Sequence, residues 1–207
     1  MDQNIKFWDR IAKRYSMRPV ADEDAYQKKL QTSQQYFQPE MEVLEFGCGT
    51  GTTAIIHSSF VKHIQAIDIS SKMLEIAQSK VDAANIKNIT LQQSSIDDFK
   101  VANETYDVVL GLSILHLLAD KEQVLAKVHK MLKPGGVFVT NTVCIGDKLK
   151  FFKYIAPIGK FLGLLPLVSI FTTEELKDSL TGAGFEIDYQ WRKGKDISVF
   201  IVAKKNE

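Results

Sequence analysis

The residues best suited to chemistry are a loop and an acid. The stretch Val43-Leu44-Glu45-Phe46 is followed by Gly47-Cys48-Gly49-Thr50-Gly51 and then Thr52. It reads as a strand, a glycine turn and the start of a helix. Glycine at such a turn permits positive φ and lets a ligand approach the backbone closely. In an open α/β sheet, ligands bind beyond the carboxyl ends of the strands, where the strand order reverses, and the first strand is expected at that point. Asp68 ends the next expected strand, about twenty residues further on, the spacing at which an acid accepts hydrogen bonds from a ribose diol. Loop and acid together indicate a nucleoside cofactor.

Two features point away from a nicotinamide dinucleotide. The spacing is Gly-x-Gly-x-Gly, and Thr52 stands where Gly-x-Gly-x-x-Gly would place its last glycine. A pyrophosphate favours that longer pattern at a helix N-terminus. Glu45, two residues before Gly47, would oppose a pyrophosphate but suits a cationic amino-acid group. His116 is the candidate base: it follows the fourth expected strand and could take a proton from a hydroxyl substrate. The alternative is that it packs against or caps the helix opening at Asp120. His57, His63 and His129 are scattered without metal-ligand spacing, so no metal is expected.

The elements that must position these groups alternate. Helices are expected over Asn4 to Tyr15, ended by Pro19, and over Asp22 to Phe37. Strands are expected over Glu42 to Phe46, Ile64 to Ile69, Asn88 to Gln93, Tyr106 to Gly111 and Val137 to Val143. Between them fall helices near Thr52 to Ser59, Lys72 to Ala84 (capped by Ser70 and Ser71) and Asp120 to Leu132, stopping before Pro134. Such alternation predicts parallel strands joined by right-handed crossovers, covered on both faces. The tail departs from it. Thr173 is expected to cap a helix ending near Gly182 and Gly184. Phe185 to Trp191 and Ile197 to Ala203 then form a hairpin around Lys193-Gly194-Lys195. The expected fold is α/β, a Rossmann-like, seven-stranded, mostly parallel sheet closed by a C-terminal antiparallel hairpin, with helices on both faces.

These residues resemble the class I S-adenosylmethionine-dependent methyltransferase family. The resemblance is carried by Glu45-Phe46-Gly47-Cys48-Gly49-Thr50-Gly51, Ile67-Asp68-Ile69-Ser70, Tyr106-Asp107-Val108-Val109 and Leu132-Lys133-Pro134-Gly135-Gly136. Phe7-Trp8-Asp9 and Tyr15 look like the ubiquinone/menaquinone-biosynthesis type. The resemblance implies S-adenosyl-L-methionine as cofactor and S-adenosyl-L-homocysteine as product. It implies that Gly47, Gly49 and Gly51, with Cys48, wrap the methionyl and ribose parts. Asp68 would bind the ribose hydroxyls, and Ile69 would pack on the adenine. Ser95 and Ile96 would border the adenine edge, and Gly111 and Leu112 would lie near the methionyl group. Tyr15 and Arg18 would close over the cofactor, with Glu45 and Met73 also in contact. One position departs from the family. Many members carry an acid within Gln93-Ser94-Ser95-Ile96-Asp97, where this chain has Ser95. Either Ser95 accepts the adenine amino group, or Asp97 shifts in.

The bulk properties fit one soluble enzyme domain. The chain has 207 residues, 45% hydrophobic and 25% charged, with formal net charge +1. That length can bury an α/β core without disulfides, and no basic stripe invites nucleic acid. Cys48 and Cys144 read as small reduced fillers of a cytoplasmic protein. Residues 1–38 are expected as an N-terminal helical cap, 39–144 as the cofactor-binding core, 145–172 as an apolar lid, and 173–207 as a helix plus hairpin. Asp147 to Phe171 is rich in Phe, Leu and Ile and carries Lys148, Lys150, Lys153 and Lys160. It reads as a lid over an apolar or amphipathic acceptor, as core or a dimer face, or as a membrane-surface helix. No run is long enough to span a membrane. The expected partner is a small-molecule methyl acceptor, and the chain is expected as a monomer or homodimer. A non-catalytic S-adenosylmethionine-binding regulator would share the same loop.

Overall fold

The computed structural model describes residues 3–148, 167–194 and 196–206. Two helices come first, α1 (Gln3–Ser16) and α2 (Glu23–Gln34). The core then alternates: β1 (Glu42–Phe46), α3 (Thr52–His57), β2 (His63–Asp68), α4 (Ser71–Ala83), β3 (Ile89–Gln93), β4 (Tyr106–Leu112), α5 (Lys121–Met131) and β5 (Leu132–Val143). The chain closes with α6 (Thr173–Gly182), β6 (Phe185–Trp191) and β7 (Ser198–Lys205).

The seven strands form one sheet in the order β3-β2-β1-β4-β5-β7-β6. The pairs among β1 to β5 are parallel, and β7 runs antiparallel to both β5 and β6. The order reverses between β1 and β4, so the glycine loop after β1 opens at the switch point where such sheets bind ligands. Side chains alternate across a strand. Leu44, Phe46 and Val109 join one core, with Leu125, Val128 and Leu176 from α5 and α6. Val43, Val108 and Leu110 join the other, with Ala54 of α3. Burial on both faces explains why β1 and β4 are nearly unbroken apolar runs. Glu45 is the exception, and by alternation it shares the Val43 face.

Several boundaries differ from the sequence expectation for identifiable reasons. Asp22 and Asp120 lie outside their helices as N-caps. Ser70 alone caps α4, its hydroxyl accepting from the Met73 amide. The cap of α6 is Thr172, not Thr173: Thr172 and Glu175 form a reciprocal capping box. The Thr173 hydroxyl instead donates to Asp147 at 2.7 Å. β5 begins at Leu132, through Pro134 and Gly136, because Leu132 already pairs with Tyr106. β7 starts at Ser198 because the Asp196 carboxylate accepts from the Ile197 and Ser198 amides. Most of the expected lid, 149–166, lies outside the described residues. Its downstream end is tied down: the Ser169 amide donates to the His116 carbonyl at 2.7 Å, and the Leu167 amide to Asn4 Oδ1 at 3.0 Å. Among the described residues, no helix is long and apolar enough to cross a membrane.

Candidate functional site

The loop after β1 is held by its own backbone and by Asp68. Gly47, Gly49 and Gly51 have φ of +68°, +55° and +72°, a region that side chains with a Cβ rarely adopt. The Cys48 amide donates to the Ile67 carbonyl, and the Gly51 amide to the Cys48 carbonyl. Asp68 accepts from the Gly49 amide at 2.8 Å through one oxygen and from the Ser70 amide at 2.9 Å through the other. One carboxylate therefore ties the loop to the start of α4. Burial raises the Asp68 pKa, and the amide hydrogen bonds oppose that rise. A Cβ on Gly49 would meet only the Tyr15 ring, 4.0 Å away, among the described residues, so this glycine faces open space. A Cβ on Gly47 would lie 2.8 Å from Ile114 Cδ1.

Two cavities meet over this loop. The first has about 860 Å³ of space, part of it open to solvent. Its walls include Asp68, Ile69, Met73, Ser95, Ile96 and Asp97, with Trp8 and Tyr15 of α1 above. α1 is fixed there by Asp9, whose carboxylate accepts from the Ser70 hydroxyl at 2.6 Å. The second has about 1660 Å³ of space, also partly open to solvent, and lies between α2, the link from Arg18 to Asp22, and the ends of β5 and β7. Glu45, Cys48, His57 and Asn141 line it. Tyr15, Gly47, Gly49, Leu112 and Ser113 border both cavities.

Polar atoms left unpaired mark the second cavity. Among the described residues, Glu45 Oε2, His57 Nε2, Asn141 Oδ1 and His116 Nδ1 are buried without a hydrogen-bond partner, and the first three belong to residues on that wall. Glu45 is 3% exposed. Burial, reinforced by the Asp68 charge, pushes its pKa up to about 8. A buried carboxyl with an unpartnered oxygen beside a positive-φ glycine cradle fits the cationic amino group of an amino-acid cofactor.

The sequence-predicted site residues separate into three groups. Tyr15, Gly47, Gly49, Asp68, Ile69, Met73, Ser95, Ile96 and Leu112 line the first cavity, and Arg18, Glu45 and Cys48 the second. Gly51 and Gly111 lie behind the walls. Gly51 packs on Ala77, and a Cβ on Gly111 would lie 2.6 Å from Phe46 Cζ. His116 is on neither wall. It sits on the short turn Leu115–Leu117, where burial pushes its pKa down to about 4. Ser95 is occupied: its hydroxyl donates to Asp98 Oδ2 at 2.7 Å and accepts from the Asp98 amide. The sequence reading missed Asn141 and His57. An asparagine between Thr140 and Thr142 in a strand of β-branched residues was a usable signal, because strands are depleted in Asn.

Comparison with known proteins agrees with this geometry. A family model described as a methyltransferase domain matches residues 37–180, and the chain belongs to this family, of the class I S-adenosylmethionine-dependent type. It is 25% identical to a demethylmenaquinone methyltransferase of Symbiobacterium thermophilum, over 98% of this chain and 92% of that one. It is 30% identical to a malonyl-[acyl-carrier protein] O-methyltransferase of Priestia megaterium over 73% of this chain, which spans just 56% of that relative. The fold is shared with the YcgJ protein of Bacillus subtilis, at TM-score 0.72 and 15% identity over 87% of this chain and 99% of that one. An S-adenosylmethionine-dependent methyltransferase from Mesorhizobium loti shares it at TM-score 0.70 and 18% identity, over 85% and 95% of the two chains. The protein is an S-adenosylmethionine-dependent methyltransferase, and its product cofactor is S-adenosylhomocysteine. These relationships do not favour a non-catalytic regulator.

Proposed function

We propose that the chain passes the methyl group directly to a small, apolar or amphipathic metabolite. The observation that carries this reading is the shared border of the two cavities at Gly47, Gly49, Leu112 and Ser113. With Asp68 on the first wall and Glu45 on the second, these residues would hold the adenosine on one side of that border and the amino-acid end on the other. The cofactor supplies a methyl already activated on a sulfonium. The chain's own work is to hold, align and exclude water. Asp68 receives the ribose hydroxyls while keeping the Gly49 amide in place. Ile69 and Ile96 sandwich the adenine. Asp97, on the cavity wall, is better placed than the engaged Ser95 to accept the adenine amino group. Glu45 receives the methionyl ammonium, and Tyr15 covers the junction. The acceptor enters the second cavity, where Pro19, Val20, Leu30 and Leu112 give apolar wall. His116 is given no part as a base, since it faces neither cavity.

The test is transfer of labelled methyl from S-adenosylmethionine to a panel of apolar and amphipathic hydroxylated or quinol metabolites. Label passing to at least one small acceptor is expected. Asp68→Ala should weaken S-adenosylhomocysteine binding by about 1–3 kcal/mol, the scale for a hydrogen-bonding partner removed from a buried site. Label passing only to protein or nucleic acid would overturn the small-acceptor reading.

A further inference from the structure

We propose that Asn141 is a specificity-determining residue that selects methyl acceptors bearing a hydroxyl or N–H donor, received at its Oδ1. This rests on the reading of the second cavity as the acceptor chamber.

Register places the residue. Glu45 pairs with Leu110, and Leu110 with Val139. Asn141 lies two residues beyond Val139, hence on the same face as Glu45 but nearer the carboxyl end of the sheet by about 7 Å. β5 is two strands from β1, about 10 Å across the sheet. Asn141 therefore stands away from the carboxyl that suits the cofactor ammonium, toward the part of the chamber left for the acceptor.

The side chain is built in, not passing through. Asn141 is 9% exposed. Its Nδ2 donates to Ser113 Oγ at 3.3 Å, and its backbone carbonyl accepts from the Ser113 amide at 2.7 Å. Ser113 is held at φ +58°, a conformation that persists only where surrounding contacts impose it. The side-chain bond ties the Asn141 amide to Ser113, a residue of the shared border, and the backbone bond holds the two residues together, with Oδ1 buried and unpartnered. An unpartnered acceptor oxygen on a residue of the cavity wall complements an O–H or N–H donor. A ligand lacking the donor would seal that oxygen off unpaired. Glu45 Oε2 cannot serve both ligands, because the ammonium already claims it.

The experiment uses protein loaded with S-adenosylhomocysteine and ligand-observed saturation-transfer NMR. The probes are 2-naphthol, its methyl ether and 2-acetylnaphthalene, alike in size and differing in the donor. Wild type should bind the naphthol at least about tenfold more tightly than the other two, since sites built for a hydroxyl discriminate strongly against its absence. Asn141→Leu should bring the three to within about twofold of one another, and Asn141→Asp should keep the preference. Should the leucine variant not fold, Asn141→Ala makes the same comparison. S-adenosylhomocysteine affinity, measured by calorimetry, should stay unchanged in every variant. Equal binding of the probes by wild type, no binding of any probe at millimolar concentration, or a preference that survives Asn141→Leu overturns the proposal. Wild type that fails to bind S-adenosylhomocysteine defeats instead the reading on which it rests.

Discussion

Replacing Glu45 with glutamine should make the unliganded protein less sensitive to pH and a poorer binder of its cofactor. Glu45 is buried with one oxygen unpartnered, and its pKa is raised to about 8 from the ordinary 4.5. The unfolded chain loses this proton near pH 4.5, whereas the folded chain keeps it until about pH 8. Between those values the folded state binds more protons, so rising pH favours unfolding. At 1.36 kcal/mol per unit, the loss from this group on going from pH 4.5 to 7 is about 3 kcal/mol. Glutamine does not titrate, so that component of the pH dependence should vanish in Glu45→Gln. A ligand ammonium reverses the situation, because it favours the carboxylate. Wild type should therefore bind S-adenosylhomocysteine more tightly as pH rises toward 8, releasing a proton on binding. Glu45→Gln should bind about 10- to 100-fold more weakly, as when a charged hydrogen-bonding partner is removed, and without that proton release. Urea unfolding from pH 5 to 8, with calorimetry in buffers of different ionisation enthalpy, measures both effects. Parallel stability profiles for the two proteins, or equal proton release, would show that Glu45 is not the group that holds the proton.

Three further substitutions separate cofactor contacts from packing. Gly49→Val should fold yet show no calorimetric binding of S-adenosylhomocysteine, because β-branching opposes φ of +55° and the side chain would point into the cleft. Gly111→Ala should lower stability by about 1–3 kcal/mol in urea unfolding, since its Cβ would collide with Phe46 and Phe138. The cofactor affinity of whatever Gly111→Ala protein remains folded should be unchanged. His116→Ala should leave the pH dependence of kcat unaltered, because the histidine faces neither cavity; a fall in rate at low pH that disappears with it would restore it as a base.

What could be read from the residues in order was local or strictly periodic. The glycine loop, Asp68 and the alternation of strands and helices rest on φ, on short apolar and β-branched runs and on fixed spacing, all visible in a short window. Thr172 was missed in favour of Thr173 because both can cap, and only the fold brings Asp147 against Thr173. The early start of β5 was hidden by Pro134 and two glycines, which deter a strand until the Leu132–Tyr106 pairing supplies it. Gly111 resembles a cofactor contact in sequence. Its need for glycine comes instead from two phenylalanines on β1 and β5. Glu45 was legible as a charge in an apolar strand. Asn141 and His57 acquire meaning only when α3, β5 and the α1–α2 link converge on one chamber.

If the turn after β1 cradles an adenosyl amino acid between two carboxyl groups, a crystal structure with S-adenosylhomocysteine bound will reveal it. It should show the ribose hydroxyls on Asp68 and the ammonium on Glu45, with the sulfur facing the chamber that contains Asn141. A nucleoside bound elsewhere, or one seated here with neither carboxyl in contact, would rule out this cradle.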